Sequence, residues 1–494
     1  MIVPKKIMLY LCSWFALVLF TVISYQAIAA KRCFFQSNTL LCGETASLLQ
    51  RVAIFVLVTS VVGIFFLISR TLWKKMTEEN AAPITSYAII GCILFMAIFV
   101  VPFGSSDMSY YFGAGRAIEH GLNLYIDQWV MEKDFVYPVS SSVITGFSYG
   151  PIIASAFHGL YRLSGGDIIS FMLLWKMIMA LALVVCVWLS YVVAKALGGT
   201  VSKKSAIVLL LLQPMFVFEW VVNGHFDVLW IISVLGAIFF AHRKQWWAVL
   251  PLLAIGIWIK FIPALVTPFF FLWWWQSLTK ETWKIQVLHT AIGCLLSLGI
   301  TLASWLPYWS GPIVFQSIII QSKWAVISLF AVVYYGLQPL FEMVFQENTH
   351  WYLTRTTHAL LLILLITCLW PYIKKLFAIL FRRLTWNTAQ FIQAMFIFLL
   401  AYLFIWQKSF LPWYGGWFLP LGFVLYSLTH EIKVMRIISW VSIAPFMYYI
   451  LWLADWIATG TDAGSEWWFY ASMFLFVAVY PLWQVWQWRK EDYT

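Results

Sequence analysis

The chain is poor in charge. Only 10% of its 494 residues are charged, against about 25% in soluble domains, and this excludes a globular cytosolic protein. Acids are scarcer still, 20 against 31 lysines and arginines, for a net charge of +11. That surplus does not point to nucleic acid. Much of it lies in short loops, where it orients membrane helices, and anionic lipid is a sufficient partner. Equally missing are internal repeats, low-complexity tracts and a soluble domain. No Gly-rich nucleotide loop and no His/Cys cluster with zinc spacing occurs. Asp107 has no neighbouring Asp to form an Asp-x-Asp pair, so no metal is expected, with a divalent cation left open. Cysteine is sparse: of seven, Cys12, Cys92, Cys186, Cys294 and Cys368 sit in apolar runs. Cys33 and Cys42 stand in the first polar loop, where a disulfide suits an oxidising compartment and two free thiols fit equally well.

What is abundant is apolar surface. Hydrophobic residues make up 63% of the chain, with a mean hydropathy of +0.86. Repeated apolar runs of about 20 residues require helices, which satisfy their own backbone in lipid. The 31 Trp and 23 Tyr suit two interfacial belts. The fold expected is all-α and polytopic, with about 13–14 transmembrane helices. The first run follows Lys5 and Lys6 and is too long for a signal peptide, so it reads as an uncleaved helix. Spans near residues 7–29, 52–70 and 86–104, placed by the positive-inside rule, bring Asp107 to the extracytoplasmic side. Later spans are expected near 168–196, 205–222, 285–305 and 388–407, and a short interfacial or re-entrant helix near 151–166. Three regions follow: 1–104 with N-terminal helices, 105–150 as a large external loop, and 151–494 as the helical body. The body carries a second external region at 307–350, with a helix near 326–345. Both ends are expected inside.

The 105–150 stretch holds Asp107, Glu119, Asp127, Glu132 and Asp134, five of the 20 acids. A plain connection needs only a few residues, so this stretch is the natural seat of chemistry. Charges within or bordering apolar runs are costly unless paired or hydrated, which makes each a site candidate. Lys176, Glu219, Asp227, Lys260, Arg355 and Lys408 are such residues. Internal ion pairs and snorkelling side chains are their bland alternatives. Asp107, at the end of an outward helix, has the position of a general base for a hydroxyl.

An acid after an outward helix, then Tyr110-Tyr111, Gly121-Leu122-Asn123-Leu124-Tyr125 and Tyr149-Gly150-Pro151, resembles the GT-C superfamily of polyprenol-phosphate-sugar-dependent glycosyltransferases. Asn223-Gly224-His225 with Asp227, Trp258-Ile259-Lys260 with Pro263, and Pro412-Trp413-Tyr414 with Trp417 are similar to its bacterial mannosyltransferase branch. Leu122 stands where a proline is usual, and His225 where a glutamine is. More helices precede the acidic stretch than the one that is common in the family. The resemblance implies inverting transfer of a hexose, mannose foremost, from a polyprenyl phosphate to a lipid-linked or cell-envelope glycan outside the membrane. Asp107 would be the base. Lys260, Arg355, Lys408 and Arg116 would bind the donor phosphate. Tyr110, Tyr111, Asn223, His225, Asp227, Trp413 and Tyr414 would bind substrate. No cofactor is implied beyond the donor itself. A lipid-linked-sugar flippase or a glycan polymerase or ligase of another fold is the competing expectation. Convergence of Asp107, Lys260 and Trp413 in one place distinguishes the transferase.

Overall fold

The computed structural model describes residues 94–95, 97–99, 102, 105, 107–131, 143–201, 213, 215–316, 328–345, 347–442, 444–446 and 467–491. The spans expected at 7–29 and 52–70, most of the one at 86–104, and the Cys33/Cys42 pair lie outside the described residues, as do Glu132 and Asp134. Within them the protein is all-α apart from one small hairpin.

The described part of the 105–150 stretch is folded. It opens with α1 (Asp107–Glu119), whose first turn carries Asp107 where the helix dipole favours an acid. Ser105 Oγ accepts the Asp107 N–H at 3.1 Å. The chain then turns at Gly121 (φ 80°) into β1 (Gln128–Val130), antiparallel to β2 (Val143–Thr145) with Trp129 opposite Ile144. Asn123 of the Gly-x-Asn-x-Tyr motif is a brace: its Nδ2 donates to the Tyr308 carbonyl at 2.8 Å. Tyr125 packs on Trp305 and Tyr308.

Next comes α2 (Pro151–Leu163), started by Pro151 at its first turn. At 13 residues it spans about 20 Å, short of the ~30 Å hydrocarbon layer. Its contact with α1 is close because residue 115 is glycine. A Cβ there would lie 2.6 Å from the Phe157 carbonyl oxygen.

The body follows: α3 (Ile168–Ala196), a π-helical turn (Phe216–Val222), α4 (Asp227–His242), α5 (Trp246–Ile259), a 3₁₀ turn (Ile262–Leu265), α6 (Thr267–Ser277) and α7 (Trp283–Trp305). After a 3₁₀ turn at Pro312–Phe315 come α8 (Leu329–Val344), α9 (Thr349–Leu380) and α10 (Thr388–Ala401), which runs into a second π turn (Tyr402–Trp406). A 3₁₀ turn (Pro412–Trp417), α11 (Phe418–Thr429), α12 (Ile432–Val441), a 3₁₀ turn (Ala444–Phe446) and α13 (Trp467–Glu491) complete it.

Among the described residues four helices are long and apolar enough to cross a membrane: α3, α7, α9 and Thr388–Trp406. The π turn and α4 make a fifth if taken together, bent by 115°. Burial separates their roles. In α7 only 11% of the apolar window is buried, and Leu295, Leu298 and Leu302 face outward as lipid-contacting residues would. In Thr388–Trp406 the share is 67%, so this helix is central. Helix α5 lies between α4 and α7, α4 packs on α3, and α11 on both α3 and α10. The core they enclose is continuous and rich in Trp and Phe.

Candidate functional site

Three breaks in helical regularity meet at one end of this core: the start of α1, the bend between the first π turn and α4, and the end of α5. The bend is built on Gly224, whose φ of 75° is costly for any other residue. A Cβ at 224 would also press within 2.5 Å of Met108 Cε. Trp175 of α3 donates from Nε1 to the Gly224 carbonyl at 2.7 Å and fixes the bend. His225, which follows, is thereby pushed into the core.

His225 lies between two carboxylates. Its Nδ1 is 3.3 Å from Asp107 Oδ2 and its Nε2 is 3.4 Å from Glu219 Oε2. Both are ion-pair contacts without hydrogen-bond alignment. The ring stacks on Trp413, centroids 3.7 Å apart and planes 20° from parallel. An imidazolium over an indole face is favourable. Burial disfavours that charge, but the two carboxylates outweigh it and raise the His225 pKa to about 9. Asp107 shows the reciprocal effect. Burial pushes its carboxyl up, yet His225, the Tyr111 hydroxyl and the Lys260 charge hold it below the ordinary aspartate value. Tyr111 donates to Asp107 Oδ2 at 3.1 Å, one turn along the same face of α1.

Beside this lies a second charged pair. Lys260, set in extended backbone just past α5, donates from Nζ to Asp227 Oδ1 at 2.5 Å. Trp417 Nε1 donates to the same oxygen at 2.6 Å. The ammonium is ringed by aromatic faces: Tyr414 at 4.8 Å, Trp417 at 5.3 Å, Phe226 at 5.7 Å and Tyr149 at 5.8 Å from Nζ to ring centre. Tyr149 also packs against Tyr111 and Phe226. Gly150 brings the Tyr-Gly-Pro motif against the end of α5, its N–H donating to the Ile259 carbonyl at 3.2 Å.

The structure therefore gathers Asp107, Tyr111, Asn223, His225, Asp227, Lys260, Trp413 and Tyr414. Tyr110 packs into the aromatic wall behind the cluster, stacked on Phe147 and edge-on to Trp129, Tyr111 and Tyr149. Three expected phosphate ligands make their contacts elsewhere. Arg116 follows Asp107 by nine residues on α1, which puts it about 13 Å along the axis and on the opposite face. There it lines a cavity of about 280 Å³ with Gly113, His120 and Trp129. The Arg355 guanidinium rests 3.7 Å from the Trp351 ring centre, and Lys408 Nζ 4.9 Å from that of Phe330.

Glu219, Tyr149 and Trp417 join the cluster, although neither the substrate set nor the phosphate set expected from the sequence includes them. Glu219 was detectable as an acid inside the apolar run Phe216–Val222. Trp417 was named in the resemblance only. Among the described residues no three His, Cys, Asp or Glu side chains are placed to hold a metal ion.

Residues 14–276, more than half of the chain, match the model of the MptA_B family, described as alpha-(1->6)-mannopyranosyltransferase, N-terminal domain. No curated protein matches. The matched segment contains Asp107, Glu219, His225, Asp227 and Lys260. The aromatic residues from Trp413 to Trp417, which close the cluster, lie beyond it.

Proposed function

The chain belongs to the alpha-(1->6)-mannopyranosyltransferase family and is a membrane glycosyltransferase; from that premise we propose how it works. It takes mannose from a polyprenyl-phosphate donor and passes it to a hydroxyl of a lipid-linked or cell-envelope glycan. The reaction takes place at the extracytoplasmic face and inverts the anomeric centre. An α-linked product made by inversion requires a β-linked donor.

One observation carries this reading. Of the three carboxylates in the cluster, Asp107 alone is open, with its side chain 22% exposed against 0% for Glu219 and 2% for Asp227. An acceptor hydroxyl can reach Asp107 and no other acid of the cluster. Asp107 then accepts the proton as general base. Its lowered pKa does not disqualify it. The attacking oxygen becomes positive as it bonds to an oxocarbenium-like carbon, and its proton is then acidic enough for a weak base. The leaving phosphate needs no proton, only positive charge held in a partly dry site.

Among the lysines and arginines, Lys260 is the one whose charge acts on Asp107, although Asp227 shares that charge. Arg355 and Lys408 would meet the phosphate on its approach. Trp413 and Tyr414 offer faces to the sugar ring or the first isoprenes. No step calls for a metal or other cofactor.

The test is transfer by purified protein in nanodiscs, given radiolabelled polyprenyl-phosphate-mannose and a membrane lipid extract. Wild type is expected to move label to a new lipid or glycan. Asp107→Ala and Asp107→Asn should lose about 10²–10⁴-fold in rate while the donor still binds. Undiminished transfer by folded Asp107→Asn would move the base elsewhere. No transfer from any polyprenyl-phosphate sugar would remove the reading.

A further inference from the structure

Glu219 is buried where an acid is expensive, and the backbone is distorted around it. The turn Phe216–Val222 is π-helical, a form found mostly at functional sites. Its register sends the Asn223 N–H to the Phe218 carbonyl at 2.8 Å and the His225 N–H to the Glu219 carbonyl at 3.0 Å. Asn223 Nδ2 donates to Glu219 Oε2 at 3.0 Å, so the carboxylate is held in place from the side. The oxygen so held faces His225 Nε2, while Asp107 faces Nδ1. A neutral imidazole carries one N–H and one lone pair. Between two carboxylates it would turn its lone pair on one of them. The doubly protonated ring alone suits both neighbours.

We infer that Glu219 is a positioning residue for the transfer reaction: from the closed side of His225 it keeps the ring cationic and in place, and through the ring it keeps Asp107 aimed at the acceptor. The inference rests on the reading of Asp107 as the base. Glu219 touches no substrate in this arrangement. When Asp107 has taken the acceptor proton, the His225–Glu219 pair remains neutral as a unit, and the proton leaves from the exposed side of Asp107. Other charged or titratable groups face the ring's surroundings: Tyr111 on α1, Tyr149 before α2, Lys176 on α3, Asp227 on α4, Lys260 past α5 and Tyr414 before α11. Of these, Lys260 is neutralised by Asp227. Tyr111 is engaged with Asp107. Lys176 Nζ points to the carbonyls of Ala97 and Ile98.

The experiment compares wild type with Glu219→Gln by two readouts. The first is kcat/KM against pH. Replacing the acid removes one anion from the ring, so His225 loses its proton at lower pH, while Asp107 at acid pH still faces a protonated ring. The alkaline limb is expected to move down by about one unit while the acid limb stays, which narrows the profile from one side. A lower rate with an unshifted profile would mean that Glu219 only supports the fold, and would overturn the inference. The second readout needs no donor. Deuterium exchange at the His225 ring carbon, followed by mass spectrometry against pH, gives the His225 titration directly. Its midpoint is expected to fall about tenfold in proton affinity in Glu219→Gln, and an unchanged midpoint overturns the inference even if no sugar is ever transferred. If Glu219→Gln does not fold, Glu219→Asp takes its place, with the charge drawn back by one methylene. A folded Glu219→Asp with the wild-type midpoint also overturns it.

Discussion

A methyl group on Gly150 would sit 2.0 Å from the Trp258 carbonyl oxygen. No side chain fits such a gap, so Gly150→Ala must part the start of α2 from the end of α5 and shift Lys260 with it. The expected cost is about 1–3 kcal/mol, read as a lower thermal midpoint in detergent, with transfer falling more steeply than stability. Gly224→Ala combines a clash of 2.5 Å with Met108 and a strained φ. Because Met108 Cε is the movable end of a flexible side chain, whereas Gly150 faces backbone, Gly224→Ala is expected to be the milder of the two. A Gly150→Ala protein with wild-type midpoint and rate would refute the close-packing argument. Residue types were legible beforehand at these positions, but their reasons were not. Tyr149-Gly150-Pro151 is visible as a motif in the sequence, whereas its partner carbonyl at Ile259 becomes apparent only when α2 meets α5. For Arg116, expected among the donor-phosphate ligands, the structure adds what the sequence does not show: helix phase puts it on the face of α1 opposite Asp107.

Between elements, the clearest test is the pair that ties the start of α4 to the end of α5. Asp227 and Lys260 are both nearly sealed, with side-chain exposures of 2% and 10%. Removing one leaves the other as a buried charge, which costs about 3–5 kcal/mol. Lys260→Met and Asp227→Leu are each expected to unfold or misinsert the protein. The double variant should recover much of that stability, as apolar replacement of a buried pair often does, yet stay inactive for want of a cation. Expression level and thermal midpoint of all three decide the first point, and label transfer the second. A double variant no more stable than either single one would mean the pair does not act as a unit. At this scale the sequence was informative where apolarity dominates. The run expected at 168–196 is α3 at Ile168–Ala196, and the helix near 326–345 is Leu329–Val344. It was silent where hydrogen bonding departs from the ordinary helical pattern. Nothing in an apolar run separates the π turn Phe216–Val222 from a regular helix, and so the direction of Glu219 could not be foreseen.

Across the whole molecule the site is assembled from distant parts of the chain. The family match ends at residue 276, within α6. Trp413 and Trp417 come from beyond it and complete the His225 and Asp227 environments. A protein cut between α6 and α7 is therefore expected to lose transfer when the first part is made alone, and to regain it when both parts are made together. Transfer by the first part alone would show that the late aromatic residues are dispensable. The same long reach has a consequence in time. Lys260 follows its partner Asp227 by only 33 residues, whereas Trp417 follows Asp227 by 190. At about 5–20 residues per second, a ribosome takes about 10–40 s to deliver that tryptophan. During the wait α4 and α5 can enter the bilayer as a hairpin whose acid and base already cancel. The insertion machinery meets a neutral unit, and the ring of aromatic residues closes around it only when the last third of the protein arrives.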